Sequence, residues 1–256
     1  MSEPQVSLHE AVARGATLIC VSAGLARELQ IRATHLPKSG ATVWRTPSIL
    51  AWQNWLRSLL TELIDRGAIH RTLLGAAEER LLWQMVVESS EHGQHLLEHR
   101  GAARAAAEAA RICARFDINE PELAGSEARE TRIFAEWRQR FHQHLDTHEA
   151  IAPYAIDDAV AFNLNTIVDV LPHQLVLAGF DDINPAGQRV LARARALGVQ
   201  VTWLQDERSP AQQQRRFEAT DSRSEVQAIC NWAVEQLQAR NKTARLGIAT
   251  PNLSAL

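Results

Sequence analysis

The chain has 256 residues, of which 46% are hydrophobic and 22% charged, a composition that excludes a disordered protein and allows one large domain or two small ones. Because 30 acidic residues oppose 27 basic ones, for a net charge of -3, no global basic field attracts nucleic acid. Only two of these basic residues are lysines, so very few lysine-dependent sites are possible.

The N-terminal part predicts the start of an α/β framework. An apolar run at 17–21 has the length of a strand, and Ser22 after it is a suitable N-cap for a helix. A second strand is expected at 41–44. Thr46 and Pro47 then predict a helix start, because threonine suits the cap and proline suits the first helical position. Apolar residues at helical spacing continue this helix for several turns.

The middle of the chain predicts helices and no convincing strand. Apolar stripes at helical spacing recur from residue 56 to residue 170, including an alanine-rich segment at 96–116 and a final helix at 155–170. We therefore expect a large all-helical insertion within the α/β framework.

Strands return in the C-terminal third. The remaining predicted elements are, in order, a strand at 174–178, a helix that Asn184 and Pro185 begin and that ends near Gly198, a strand at 199–203, a linker at 206–210, a weak strand at 216–218, a helix opened by a capping pair of Ser222 and Glu225, and a strand at 245–250. Strands that alternate with helices favour a mainly parallel sheet, so the predicted fold class is α/β. A chain that ends just after a strand is expected to belong to a longer protein.

The residues needed for nucleotide hydrolysis by a P-loop are missing. That loop requires a glycine-rich turn and a lysine that cradle the phosphates. Lys38 follows Pro37 in a turn with no strand before it, and Lys242 has no glycine frame. We therefore expect no ATP binding of the P-loop kind and no cofactor.

Metal-dependent and nucleophilic hydrolysis are not supported either. A PD-(D/E)xK nuclease needs a lysine two residues after an acid, but Leu36 and Arg240 stand where those acids should be. His92, His95 and His99 share one helical face, and solvated or half-buried histidines explain them better than zinc ligands do. No G-x-S-x-G motif is present. The sequence predicts no metal site and no catalytic residue.

Two early segments resemble motifs of superfamily 1 DNA helicases. Residues 17–29 are similar to motif Ia, a strand followed by a polar residue, an alanine-rich turn and a charged helix, and residues 46–56 look like motif Ib. In that family both motifs touch the phosphate backbone of single-stranded DNA. The resemblance implies backbone contacts by a set of hydroxyl and arginine side chains, namely Ser22, Arg27, Thr46 and Ser48. Hydroxyls, exposed amides at helix N-termini and arginine suit phosphate chemically.

The same resemblance offers Trp52 or Trp55 to DNA bases. Stacking on an aromatic ring contributes about 1–3 kcal/mol per base. However, Trp52 lies on one helical stripe with Leu56 and Leu59, a pattern that favours packing in the core instead.

A third segment, residues 175–185, resembles motif II, a hydrophobic strand followed by Asp-Glu-Phe-Gln-Asp, a hydroxyl residue, Asn and Pro. The matching residues are Phe180, Asp182, Asn184 and Pro185. Ala178 and Gly179 stand where the family has its magnesium-holding acid and its water-activating acid, and neither residue can perform those tasks. The resemblance therefore implies a helicase fold with degenerate Walker B positions.

Together these motifs resemble the inactivated helicase subunits of bacterial helicase–nucleases, such as the B subunit of the AddAB type, and the related group called probable DNA repair proteins. The implied fold is α/β and P-loop-NTPase-like, with a mainly parallel sheet and an all-helical insertion. The implied domains are a discontinuous 1A-like domain at 1–55 and 171–206, a 1B-like insertion at 56–170 and the start of a truncated 2A-like domain at 207–256. In that family a nuclease domain of the PD-(D/E)xK type follows.

Two functions are left open. The first is a catalytically inactive module that binds or guides single-stranded or unwinding DNA for an attached or partner nuclease in repair or recombination. The second is a scaffold that docks other subunits of a helicase–nuclease complex without binding DNA, which the net charge of -3 slightly favours.

The location of the protein is predicted from absent targeting signals. The N-terminus lacks a signal peptide, and no apolar stretch reaches the roughly 18 residues that span a bilayer. Cys20, Cys113 and Cys230 are interpreted as small buried residues in a reducing compartment. We therefore expect a cytoplasmic protein with no membrane partner.

Overall fold

The structure, a computed structural model, describes residues 4–36, 46–205, 216–239 and 246–249. In chain order the strands and helices are β1 (Gln5–Val6), α1 (Leu8–Ala13), β2 (Thr17–Cys20), α2 (Ala23–Thr34), β3 (Ile49–Ala51), α3 (Trp52–Asp65), β4 (Thr72–Leu73), α4 (Ala76–Glu88), α5 (His99–Phe116), α6 (Glu120–Ala124), α7 (Arg129–Thr147), β5 (Ala150–Ile151), α8 (Ile156–Asn163), β6 (Gln174–Ala178), α9 (Pro185–Ala196), β7 (Gln200–Leu204) and α10 (Ser222–Ala239). Contacts divide the chain into one unit at Met1–Glu207 and another at Arg208–Leu256. The strand predicted at 41–44 lies outside the described residues.

The first unit is an α/β structure built on a five-stranded sheet. The strand order is β1-β7-β6-β2-β3, and every neighbouring pair is parallel, as the alternation of strands and helices predicted. In the centre, β2 pairs with β6 so that Cys20 lies beside Ala178. Because all strands run the same way, their carboxyl ends meet at one edge of the sheet, called here the carboxyl edge, and their first residues meet at the opposite, amino edge.

Helices cover both faces of the sheet. Leu18 and Val176 point into one core, which α1 and α2 complete. Ile19 and Leu177 point into the other, which α3, α8 and α9 complete. Successive residues of a strand face opposite sides, so strands buried on both faces are continuous apolar runs, as at 18–20 and 175–178.

A separate helical block, made of α4, α5, α6 and α7, has its own core. Its centre is the ring of Trp83, which stacks on Phe141 with ring centroids 4.1 Å apart. Helices α3 and α8 pack on the sheet instead, so this block is smaller than the insertion predicted at 56–170. The prediction of no strand in that range is also wrong, because β4 and β5 form a two-stranded parallel sheet. Each of these strands has two residues, too few to show a period.

An arginine on α9 joins the helical block to the sheet layer. The guanidinium of Arg189 forms ion pairs with Asp117, which follows α5, and with Asp158 on α8, where the nitrogen–oxygen distance is 2.6 Å. Asp117 ends α5 in a left-handed conformation, with φ 60°.

The helix start predicted at Thr46 and Pro47 is wrong. Residues 46–48 have no regular structure, Ile49–Ala51 form the edge strand β3, and the helix begins at Trp52. The physical reason is pairing with β2, in which the backbone N–H of Leu18 donates to the carbonyl of Ser48 at 2.8 Å. This pairing outweighs the local helix-start signal.

The second unit contains the helix α10. Its first turn is capped by Asp221, whose carboxylate accepts a hydrogen bond from the N–H of Ser224 at 2.7 Å, so the cap predicted at Ser222 is displaced by one residue. Residues 216–218 and 246–249 are not in strands, contrary to prediction. Cys230 is exposed, whereas Cys20 and Cys113 are buried as expected.

Within the described part of the chain, no helix combines the length and apolar character needed to cross a membrane.

Candidate nucleic-acid interface

The carboxyl edge between β2 and β6 is the place where an open parallel sheet usually binds a ligand. From here α2 goes to one face of the sheet and α9 to the other, which makes this the point where the chain direction diverges. Ligands of such folds bind in the crevice that the diverging connections leave. Two helix N-termini lie at this edge, and helix N-termini favour anions because their N–H groups and dipole point outward.

Side-chain caps hold both of these helix starts. The hydroxyl oxygen of Ser22 accepts a hydrogen bond from the N–H of Leu25 at 3.2 Å. The amide oxygen of Asn184 accepts one from the N–H of Gly187 at 3.0 Å, which confirms the predicted start of this helix. Each cap forms because a side-chain oxygen satisfies a first-turn N–H that has no partner within the helix.

Two of the predicted DNA contacts lie at the carboxyl edge or close to it. Ser22 is exposed, and since its oxygen acts as the cap acceptor, its hydrogen is available to donate to a phosphate. Arg27 is exposed in the second turn of α2. Hydroxyl, arginine and helix N-terminus together suit a phosphate oxygen chemically.

Ala178 and Gly179, which the resemblance assigns to degenerate Walker B positions, are closed in by apolar groups. Ala178 is the last residue of β6, and its side chain is buried in the core under α2. Gly179 has φ +75°, and a Cβ there would lie 2.4 Å from Cδ2 of Leu25 and 3.1 Å from Cγ1 of Val21. The N–H of Val21 donates to the carbonyl of Ala178 at 3.0 Å, which draws the two strand ends together. A side chain at 179 would therefore need both a strained backbone and a displaced Leu25.

The acids that follow Gly179 do not replace the missing ones. Asp181 and Asp182 are both exposed in the loop beyond the strand. The carboxylate of Asp182 accepts a hydrogen bond from the N–H of Ile183 at 2.7 Å and so stabilises the loop that leads into α9.

The other two predicted phosphate contacts lie at the opposite edge. Since β3 runs parallel to β2 with Ile49 beside Leu18, Ser48 stands before the strands and Ser22 after them. The two serines are thus separated by roughly 15 Å along the strand direction. Thr46 and Ser48 line a groove of about 720 Å³ at the amino edge, together with Arg14. The structure does not bring the motif Ib residues to the carboxyl edge.

Trp52 packs in the core and presents no ring face to solvent, contrary to its predicted stacking role. It is 8% exposed, and its indole N–H donates to the carboxylate of Asp157 at 3.2 Å. Its ring meets those of Trp55 and Phe180 edge to face, at centroid distances of 5.4 and 5.9 Å. Trp55 is 3% exposed, so it offers no face either. Core packing, the alternative left open by the sequence, is the arrangement found. Burial raises the pKa of Asp157, and the Trp52 hydrogen bond opposes that rise.

Sequence reasoning missed a basic groove between α4 and α5. Four arginines line a groove of about 860 Å³, namely Arg80, Arg100, Arg104 and Arg111. The signal that could have revealed it is the spacing of four and seven residues between Arg100, Arg104 and Arg111 in the alanine-rich segment. That spacing places them on one helical face.

The histidines do not gather around a common point. His99 bonds to the carbonyl of Gly93 at 2.9 Å, whereas His92 lies 3.7 Å from the carboxylate of Glu136. Over the described ranges, no group of three or more His, Cys, Asp or Glu side chains is arranged to hold a metal ion.

A hydrogen-bonded triplet joins two helices of the helical block to Tyr154, which precedes α8. His142 on α7 contacts Glu120 on α6 through one ring nitrogen and the hydroxyl of Tyr154 through the other, both at 3.1 Å. Burial lowers the pKa of His142 and raises that of Tyr154.

No protein-family model matches this chain, and no curated protein sequence matches it. Function is therefore inferred from the motif resemblance and from the residues at the edges of the sheet.

Proposed function

We propose that this chain is a helicase-like module that does not hydrolyse ATP and that binds or guides DNA for an attached or partner nuclease in repair or recombination. The observation that carries the proposal is a difference in solvent access between two parts of the carboxyl edge. The motif Ia side, with Ser22 and Arg27, is open to solvent, whereas the motif II positions at 178 and 179 are closed by Leu25 and Val21. Side chains that can contact a DNA strand are present at this edge, whereas the carboxylates that hydrolysis would need at 178 and 179 are absent.

The strand arrangement supports a P-loop-NTPase-like, superfamily 1 helicase-like fold. The segment that resembles motif Ia and the segment that resembles motif II form adjacent parallel strands with their carboxyl ends level. The first strand, β1, joins the same sheet and passes into α1 through Ser7 alone. The hydroxyl of Ser7 accepts a hydrogen bond from the N–H of Glu10 at 3.2 Å. A phosphate-cradling loop needs several residues between strand and helix, so this junction supports a module without ATP.

The proposed DNA contact uses fewer residues than the sequence resemblance implied. It uses Ser22, Arg27 and the N-terminus of α2, with no stacking on Trp52 and no contribution from Thr46 or Ser48. The proposed partners are single-stranded or unwinding DNA and a helicase or nuclease subunit, with no cofactor and no metal.

The test is binding of a fluorescently labelled single-stranded oligonucleotide, measured by anisotropy at two salt concentrations. We expect salt-sensitive binding that Arg27→Gln weakens, with the slope of log affinity against log salt reduced by about 0.7 for one lost phosphate contact. Arg57→Gln, an exposed arginine on α3, is the control for net charge. Equal effects of the two variants would contradict a contact at motif Ia.

A scaffold that docks other subunits is the second candidate. Asp181 and Asp182 are exposed near Ser22 and would repel a phosphate backbone, which favours this reading. Absence of DNA binding by the wild type even at low salt would refute the first proposal and support the scaffold.

A further inference from the structure

We propose that the groove between α4 and α5 binds the phosphate backbone of a single-stranded nucleic acid. This inference rests on the proposed function, and it adds a contact surface on the helical block to the one at the sheet edge.

Three of the four arginines in the groove have no acidic partner among the described residues. Arg80, Arg100 and Arg104 are exposed, and none of them forms an ion pair with another residue that the structure describes. Arg111 differs, because its guanidinium is paired with Glu79 at 3.0 Å. Unpaired guanidinium groups are the usual ligands of phosphate oxygens because they donate two parallel hydrogen bonds.

The two acids that line the groove are both engaged. The carboxylate of Glu98 accepts a hydrogen bond from the N–H of Gly101 and caps α5. Glu79 is 3% exposed, and one of its oxygens accepts a hydrogen bond from Arg111 at 3.0 Å. Four arginines against these two acids and Glu108, which pairs with Arg111 at 3.2 Å, leave a local charge of about +1 on a chain whose net charge is -3. The groove is therefore locally positive, whereas the chain as a whole is negative.

Glu79 also holds a polar atom with no partner in the described structure. Its other oxygen, Oε1, is buried and accepts no hydrogen bond. Buried carboxylate oxygens are normally satisfied, so this atom marks a place for an additional donor.

The spacing of the arginines suits an extended polyanion. Arg100 and Arg104 lie four residues apart and are separated by about 6 Å along α5, at about 1.5 Å per residue. That distance corresponds to about two stacked nucleotides of one strand, at about 3.4 Å each. Arg80 adds a third unpaired guanidinium to the groove from α4. The exposed side chain of Leu81 offers an apolar contact at the rim of the groove.

The experiment compares two doubly substituted proteins with the same net charge. The groove variant is Arg100→Gln with Arg104→Gln, and the control is Arg57→Gln with Arg140→Gln, which removes two exposed arginines from α3 and α7. Glutamine has nearly the helix propensity of arginine, so both should fold, and circular dichroism checks this. The probe is a labelled oligothymidine, and affinity is measured over a series of salt concentrations.

We expect the groove variant to bind at least about tenfold more weakly than wild type. Its salt slope should fall by about 1.4, the value for two phosphate contacts on a single strand, and the control should stay close to wild type. If the groove variant behaves like the control while Arg27→Gln weakens binding, this inference is overturned and the proposed function stands. If wild type binds no oligonucleotide at low salt, both fall. Displacement of the oligonucleotide by an equal concentration of oligoglutamate of similar charge would assign the groove to an acidic peptide and overturn the inference.

Discussion

The indole hydrogen bond of Trp52 permits a quantitative test of the packing between α3 and α8. Trp52→Phe keeps an aromatic ring against Trp55 and Phe180 but removes the donor to Asp157. A hydrogen bond to a charged group contributes about 1.5–3 kcal/mol to the free energy of unfolding, and one between neutral groups about 0.5–1.5 kcal/mol. The length of 3.2 Å places this bond near the lower end of each range. We therefore expect a loss of about 1.5 kcal/mol at neutral pH from the hydrogen bond, in addition to the lost packing.

The same loss should depend on pH. Burial raises the pKa of Asp157 above its unfolded value of 3.8, so the favourable contribution of the protonated form is fully present below 3.8 and is lost as pH rises through the raised pKa. The Trp52 hydrogen bond counteracts this because it stabilises the carboxylate. Without it the pKa rises further, and Trp52→Phe should cost about 1 kcal/mol less below pH 3.8 than at neutral pH, because the bond lost at the lower pH involves a neutral carboxyl.

Urea unfolding at the two pH values measures this difference. Trp83→Phe is the matched control, because the indole nitrogen of Trp83 is buried and has no hydrogen-bond partner among the described residues. Its stacking on Phe141 would be altered equally at both pH values. Equal losses for Trp52→Phe at neutral and acidic pH would refute the hydrogen bond as the source of stability. The variant should also bind single-stranded DNA as the wild type does, since its ring faces the core.

Two further predictions concern the backbone at the closed crevice and the thiols. Gly179→Ala should lower the free energy of unfolding by about 1–3 kcal/mol because of the strained backbone. The loss should exceed that of Gly198→Ala, because a Cβ at 179 meets Leu25 whereas one at 198 meets nothing within 4 Å. Equal losses in a denaturant titration would contradict the contact with Leu25. Burial raises the pKa of the Cys20 thiol to about 11, so at mildly alkaline pH Cys20 should resist alkylation until the protein unfolds, while the exposed Cys230 reacts in the native state. Mass spectrometry of the labelled peptides distinguishes the two, and native labelling of Cys20 would contradict its burial.

The central strands and capped helices could be predicted because their signals are local. The runs at 18–20 and 175–178 are apolar throughout, as strands buried on both faces must be, and Ser22 and Asn184 cap the helices that follow. These elements fix the parallel sheet and the edge where a ligand would bind.

Elements that depend on distant partners could not be predicted in the same way. β1 and β4 have two residues each, and only pairing with β7 and β5 makes them strands. Thr46 and Pro47 carry the signal of a helix start, yet Ile49–Ala51 pair with β2. The start of the segment assigned to motif Ib by its order along the chain therefore lies at the amino edge of the sheet, whereas Ser22 lies at the carboxyl edge.

The candidate surfaces show the same limit. The spacing of Trp52 with Leu56 and Leu59 already favoured the core, and the structure agrees. The basic groove depends on Arg80 of one helix lying opposite Arg100 and Arg104 of another, which no spacing within a single helix reveals.

The closed crevice at Gly179 has an evolutionary consequence. If the chain descends from an active helicase, recovery of hydrolysis would require a carboxylate at 178 and another at 179, in addition to the missing P-loop lysine. A carboxylate at 178 would enter an apolar core, and a side chain at 179 would adopt a left-handed backbone against Leu25. Each reversion alone would destabilise the protein before either restored activity. Loss of the reaction would then be difficult to reverse. Selection would afterwards act only on the surfaces that bind DNA or other subunits.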